Sequence, residues 1–163
     1  MNLNLIYDRT TEDVSTASSI RVKYQALRDW SGLTEAEITQ LERGMLTNVT
    51  LNRVANVVSM LASALNAAGY TVETTSQSFS ETDRLKRSKY SVYLSNVQTL
   101  RDAIAVRATT PSVPAADAKL DHVGANNIEK ILADLDELLG WMAYRRKYCG
   151  TFAAGQTILP RKG

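Results

Sequence analysis

Four sets of side chains have types that can do chemistry. His122 follows Asp121, and an imidazole beside a carboxylate is the pair that moves protons in acid–base catalysis. Adjacent positions on a helix point apart, however, no nucleophile stands in a recognisable motif, and Asp121 is placed to cap the helix that follows. Asp134, Asp136 and Glu137 put three carboxylates within four positions, and carboxylates are metal ligands where they converge. With Lys130 four residues before Asp134, they read as a solvated charged face. Cys149 follows Arg145, Arg146 and Lys147, whose charge lowers a thiol pKa and raises its reactivity. No histidine stands in the pattern of a cysteine enzyme, so the thiol reads as structural or incidental. One cysteine and one histidine cannot build the usual four-ligand zinc site, and the eight glycines are scattered singly, with no phosphate-cradling loop. The sequence therefore predicts no catalytic residue, no cofactor and no metal, and the protein is expected not to be an enzyme.

The fourth set is basic. RLKRSK at Arg84–Lys89 and the tail YRRKYCGTFAAGQTILPRKG at Tyr144–Gly163 carry the cations, with Tyr144, Tyr148 and Phe152 available for base stacking. The overall charge is +2, but residues 144–163 hold +5 with no acid, which leaves −3 for residues 1–143. An acidic body repels phosphates unless its basic residues gather on one face, so nucleic acid is not the expected partner. A helical nucleic-acid-binding or regulatory protein using this tail is the alternative reading. The same tail mixes large aromatics with arginine, the composition enriched at interface hot spots. Trp141, Tyr144, Arg145, Arg146, Lys147, Tyr148, Phe152, Ile158 and Leu159 are the candidate subunit-interface residues. Docking on a neighbour and folding back on the chain's own helices both satisfy these aromatics.

The elements that position these groups are helical. The chain of 163 residues, 44% hydrophobic and 22% charged, is long enough for one real core. After an extended lead-in at residues 1–9, Thr10 or Thr11 caps a first helix to about Arg28, with Val14, Ala17, Ile20, Tyr24 and Leu27 as its apolar stripe. Thr34 and Glu37 make a capping box for a short second helix that Gly44 stops. Thr50 caps a third, with Leu51, Val54, Val58, Leu61, Leu65 and Ala68 inward and Gly69 at its end. Residues 70–80 read as loop or extended segment. A fourth helix is predicted from Ser80–Thr82 to about Ala105, through Leu85, Tyr90, Tyr93, Leu94, Val97, Leu100 and Ile104. Pro111 and Pro114 enforce a crossing loop or linker at 109–119.

The fifth helix, NNIEKILADLDELLGWMAYRR, sets Ile128, Ile131, Leu132, Leu135, Leu138, Leu139 and Met142 on one face and Glu129, Lys130, Asp134, Asp136 and Glu137 on the other. Its spacing suits a coiled coil as well as a core helix. The predicted fold is all-α, about five helices in a bundle-like domain with short extended termini. Residues 1–143 form the helical domain and residues 144–163 a basic, aromatic docking segment. No stretch is apolar enough to span a bilayer, Met1–Val14 is too acidic for a signal peptide, and a single cysteine suits a reducing cytoplasm.

Several phrases, in order, resemble a known group: IYDRTTEDV at Ile6–Val14, LNRVANVVSML at Leu51–Leu61, YLSNVQTLRDAI at Tyr93–Ile104, PSVP at Pro111–Pro114, ANNIEKILADLDELL at Ala125–Leu139 and YCGTFAAG at Tyr148–Gly155. They are similar to small proteins, and end-domains of larger ones, from tail and baseplate gene regions of phages and prophages of Gram-positive bacteria. Residues 30–48 and 70–84 lie outside the resemblance. It implies a virion structural protein of the baseplate, tail tip or fibre-attachment region, assembled in the bacterial host cytoplasm. It implies homo-oligomerisation and contact with other tail or baseplate proteins, with no catalytic residues to carry over.

Overall fold

Local capping chemistry sets most helix boundaries. The computed structural model describes residues 3–27, 31–80, 86–117 and 119–149, and among them five helices and no strand. They are α1 (Thr11–Leu27), α2 (Glu35–Gly44), α3 (Asn48–Ala67), α4 (Arg87–Ala103) and α5 (His122–Cys149). The all-α fold is the one the sequence predicts.

Thr10 is the cap of α1: its Oγ1 accepts from Asp13 N at 3.2 Å, while Asp13 Oδ2 accepts from Thr10 N at 2.8 Å. Thr34 and Glu37 exchange the same two bonds at α2. At α3 the cap is Thr47, not Thr50. Thr50 sits at the third helical position and returns the bond, its Oγ1 accepting from Thr47 N at 2.8 Å. A threonine hydroxyl thus fills the role a glutamate usually takes in a capping box. Gly69, with φ +95°, ends α3 in a left-handed turn. Tyr70 N donates to Leu65 O and Gly69 N to Asn66 O, each at 3.0 Å, so two carbonyls of the last turn are satisfied.

α4 starts later than predicted. Lys86 is still extended (ψ 146°) and the helix begins at Arg87, while Leu85 of the predicted stripe lies outside the described residues. Residues 70–80 form neither helix nor strand. Asparagine side chains pin them instead, each amide bonding both the N–H and the C=O of one residue: Asn66 on Val72, Asn96 on Thr75 and Asn52 on Phe79, all at 2.8–2.9 Å. Each amide does what a neighbouring strand would do for that residue. The segment therefore lies as a strap over α3 and α4.

Helices α3, α4 and α5 pack against one another. Their shared core holds Leu51, Val54, Leu61, Leu65, Tyr93, Val97, Leu100, Ile128, Ile131, Leu132 and Leu135, with Leu3 entering from the N-terminal segment. α1 and α2 form a hairpin beside it. Ala17 and Tyr24 are its buried residues on α1, whereas Val14 of the predicted stripe is 37% exposed. α2 buries no residue completely and is held by polar contacts: the Tyr24 hydroxyl donates to Glu37 Oε2 at 2.7 Å and Lys23 Nζ to Glu37 Oε1 at 2.9 Å. Lys23, then the Thr34 amide and Tyr24, hold the Glu37 carboxyl down to about 2 from its ordinary 4.5. A carboxyl depressed on folding stabilises above its unfolded value and loses that contribution as pH falls through the folded one. The hairpin is therefore expected to loosen as pH drops from about 4.5 toward about 2, and Glu37→Gln should flatten this loss. Unfolding midpoints of parent and variant at about pH 6 and about pH 3 check it.

Residues 104–117 and 119–121 belong to the crossing loop, which side-chain bonds tie down. Thr110 is buried and its Oγ1 donates to Asp134 Oδ2 at 2.7 Å, Arg101 Nε donates to Pro111 O at 2.9 Å, and Arg107 pairs with Glu137 at 2.8 Å. α5 then starts at His122, capped by Asp121 through Gly124 N at 2.7 Å, and continues through Cys149, across the position where the docking segment was expected to begin. Its predicted solvent face is corrected at two positions. Glu129 is 2% exposed and Asp134 1%, because the N-terminal segment covers one flank of the helix and the crossing loop the other.

Candidate functional site

Two regions are candidates for a functional site. The first is built around Arg9, which the N-terminal segment delivers into the interior at 8% exposure. Asn126 clamps its backbone, accepting from Arg9 N at 3.0 Å and donating to Arg9 O at 2.9 Å. The guanidinium bonds Arg43 O through Nε, Ile6 O and Asn126 Oδ1 through Nη1, and Glu129 Oε1 through Nη2 at 2.5 Å. Glu129 also accepts from Arg53 Nη2 at 3.1 Å and from Ile6 N at 2.6 Å. The buried Arg9 and the half-buried Arg53 therefore share one carboxylate, and Arg53 Nε has no hydrogen-bond partner among the described residues. Burying charge is costly unless it is paired, so this arrangement fixes how the N-terminal segment meets α3 and α5.

Above Arg9 and Glu129 lies a cavity of about 230 Å³ between the α1–α2 hairpin and the core. Val14, Met45, Leu46, Val54, Ala125 and Ile128 give it apolar walls. Arg43, Lys119, Asp121, His122 and Tyr93 add polar groups. His122 reaches this cavity wall and no recorded hydrogen bond links it to Asp121, whose carboxylate caps the helix as the sequence predicts. Burial pushes the Tyr93 hydroxyl well above its ordinary value, with Glu129 adding to the rise, so it stays protonated.

The second region is the C-terminal end of α5. Trp141 is 53% exposed, Tyr144 56%, and Arg145 is exposed beside them. Arg146, Lys147 and Tyr148 fall in the last turn of α5, while Phe152, Ile158 and Leu159 lie outside the described residues. Trp141 Nε1 donates to Glu137 Oε1 at 3.3 Å, and Arg107, then Trp141, hold the Glu137 carboxyl down to about 2. Next to this end, Ala64, Ala67 and Ala68 of the α3 end face Leu139, Gly140, Met142 and Ala143 of α5 across a groove of about 350 Å³, with Asp136 on its edge.

Asp134, Asp136 and Glu137 do not converge. Asp134 turns inward to Lys130 at 2.5 Å and to Thr110, whereas Glu137 turns outward to Arg107. Among the described residues no three His, Cys, Asp or Glu side chains are grouped to hold a metal ion, and no helix is long and apolar enough to cross a membrane. Sequence reasoning missed Arg9, Arg53, Glu129 and Tyr93 as a group. The chain matches no family model, no curated protein and no solved structure.

Proposed function

We propose that the protein is a structural component of a phage or prophage tail, at the baseplate, tail tip or fibre-attachment region, and that it acts by self-association and docking to neighbouring virion subunits. The observation that carries the assembly part is the end of α5, where Trp141 and Tyr144 are more than half exposed beside an apolar groove. Exposed aromatics next to arginine and an uncovered apolar hollow are what a subunit contact requires. The virion part rests on the phrases between Ile6 and Gly155. In this reading the segment Tyr148–Leu159 buries against a neighbouring subunit, and Arg145, Arg146 and Lys147 steer it toward acidic surfaces such as the one bearing Asp136 and Glu137.

The experiment compares the full chain with a chain ending at Tyr144, by electron microscopy and light scattering at low and high salt. The full chain is expected to assemble, less tightly as salt rises, and the shortened chain to stay monomeric. Equal assembly of both, with unchanged salt dependence, defeats the docking role. Binding to DNA that weakens steeply with salt, without assembly, replaces the reading with the nucleic-acid one.

A further inference from the structure

We infer that the cavity between the hairpin and the core is a binding site for a small organic carboxylate with an apolar body. Its donors are already in place. Tyr93 is 4% exposed, lines the cavity, and its hydroxyl makes no recorded hydrogen bond to the described residues. Burial keeps this hydroxyl protonated, ready to donate to a ligand that enters the cavity. Arg9 spends four of its five N–H groups on Arg43 O, Ile6 O, Asn126 and Glu129, leaving one on Nη2 uncommitted at the same wall. One phenol and one guanidinium N–H match the two oxygens of a carboxylate.

Charge selects the same class. Among the described residues Arg9 and Arg53 pair with a single acid, Glu129, so one positive charge of this group is uncompensated. The other acids nearby are already engaged: Asp121 caps α5 through Gly124 N, and Asp13 binds Thr10 and Arg43, which also pairs with Asp8. Lys119 stands exposed on the lining and adds a cation on the approach. The remaining walls, Val54, Ile128, Met45 and Leu46, suit a hydrocarbon body and disfavour the several charged oxygens of a phosphate. The volume of about 230 Å³ holds a ligand below drug size.

The test uses the full chain with hexanoate and benzoate as probes, hexanol and benzyl alcohol as their neutral counterparts, and inorganic phosphate. Binding is followed by ligand-detected NMR and by the shift in unfolding midpoint. Saturable carboxylate binding is expected, about 10-fold or more tighter than the alcohols, because hydrogen bonds to charged groups are the stronger ones. Tyr93→Phe should weaken it by about 5–10-fold and leave the ligand-free unfolding midpoint unchanged or raised, since no recorded protein contact depends on the hydroxyl. Absence of saturation up to roughly 10 mM, equal binding of the alcohols, preference for phosphate, or undiminished binding by Tyr93→Phe each overturns the site. The outcome is independent of the assembly experiment, which reads the opposite end of α5.

Discussion

Replacing Glu129 by alanine is expected to cost about 3–5 kcal/mol of folding stability, the range for breaking a buried ion pair by removing one partner. The side chains of Arg9 and Arg53 are 5% and 12% exposed and share this one carboxylate. Without it two guanidinium groups lose the acid they share, and Ile6 N loses its acceptor at 2.6 Å. For a chain of this size the loss corresponds to a fall in Tm of roughly 10 °C. Urea denaturation of parent and variant measures it, with Glu137→Ala as the control. Glu137 makes its ion pair with Arg107 at the surface, where both partners are at least two-fifths exposed, and such pairs contribute little. Replacing all three interior charges together, Arg9→Met, Arg53→Met and Glu129→Leu, should recover much of the loss, because the cost lies in the unpaired charges. If Glu129→Ala unfolds at the same urea concentration as the parent, the three side chains are not buried together.

That network also marks the limit of what the sequence discloses. Periodicity located all five helices, and the Thr34–Glu37 box and Gly69 are local signals that the structure reproduces. Glu129 and Asp134 were assigned to solvent because they are charged and lie off the apolar stripe. At about 100° per residue, Glu129 lies only about 60° from Leu132, and Asp134 about 60° from Ile131. They border the stripe on either side, and covering segments from elsewhere in the chain carry both into the interior. The covering is non-local: Asn126 clamps Arg9 from 117 positions away, Asn52 clamps Phe79 from 27 and Asn96 clamps Thr75 from 21. Such pairs have no period. The one sign they leave in the sequence is an asparagine bordering an apolar stripe, as Asn96 lies about 60° from Tyr93, on Leu100's flank of the stripe that Tyr93, Val97 and Leu100 form. The aromatic end of α5 was legible for the opposite reason, since Trp141, Tyr144 and Arg145 are neighbours on one helix. The cavity was not legible at all, because its walls come from the N-terminal segment, all five helices and the crossing loop.

Gly44→Ala separates packing from helix propensity, since the two predict opposite signs. Gly44 is the last residue of α2, and propensity alone makes alanine more stable there by up to about 1 kcal/mol. A Cβ at this position would lie 2.2 Å from Asp13 O and 2.5 Å from the Ala17 Cβ. The first of these is backbone in the opening turn of α1 and cannot rotate away, so the helices must separate. Glycine at this position thus permits a close approach, and it is also where α2 ends, as the sequence predicts. The expected outcome is a net loss of about 1–3 kcal/mol, the usual range for overpacking. The damage should stay local. α2 buries no residue of its own, so amide exchange should accelerate in α1 and α2 while α3, α4 and α5 keep their protection. Gly140→Ala is the paired control, because a Cβ in the middle of α5 meets nothing within 4 Å and only the propensity gain remains. The same substitution should therefore destabilise at Gly44 and stabilise at Gly140, and a stabilised Gly44→Ala would mean that α2 does not rest on the backbone of Asp13.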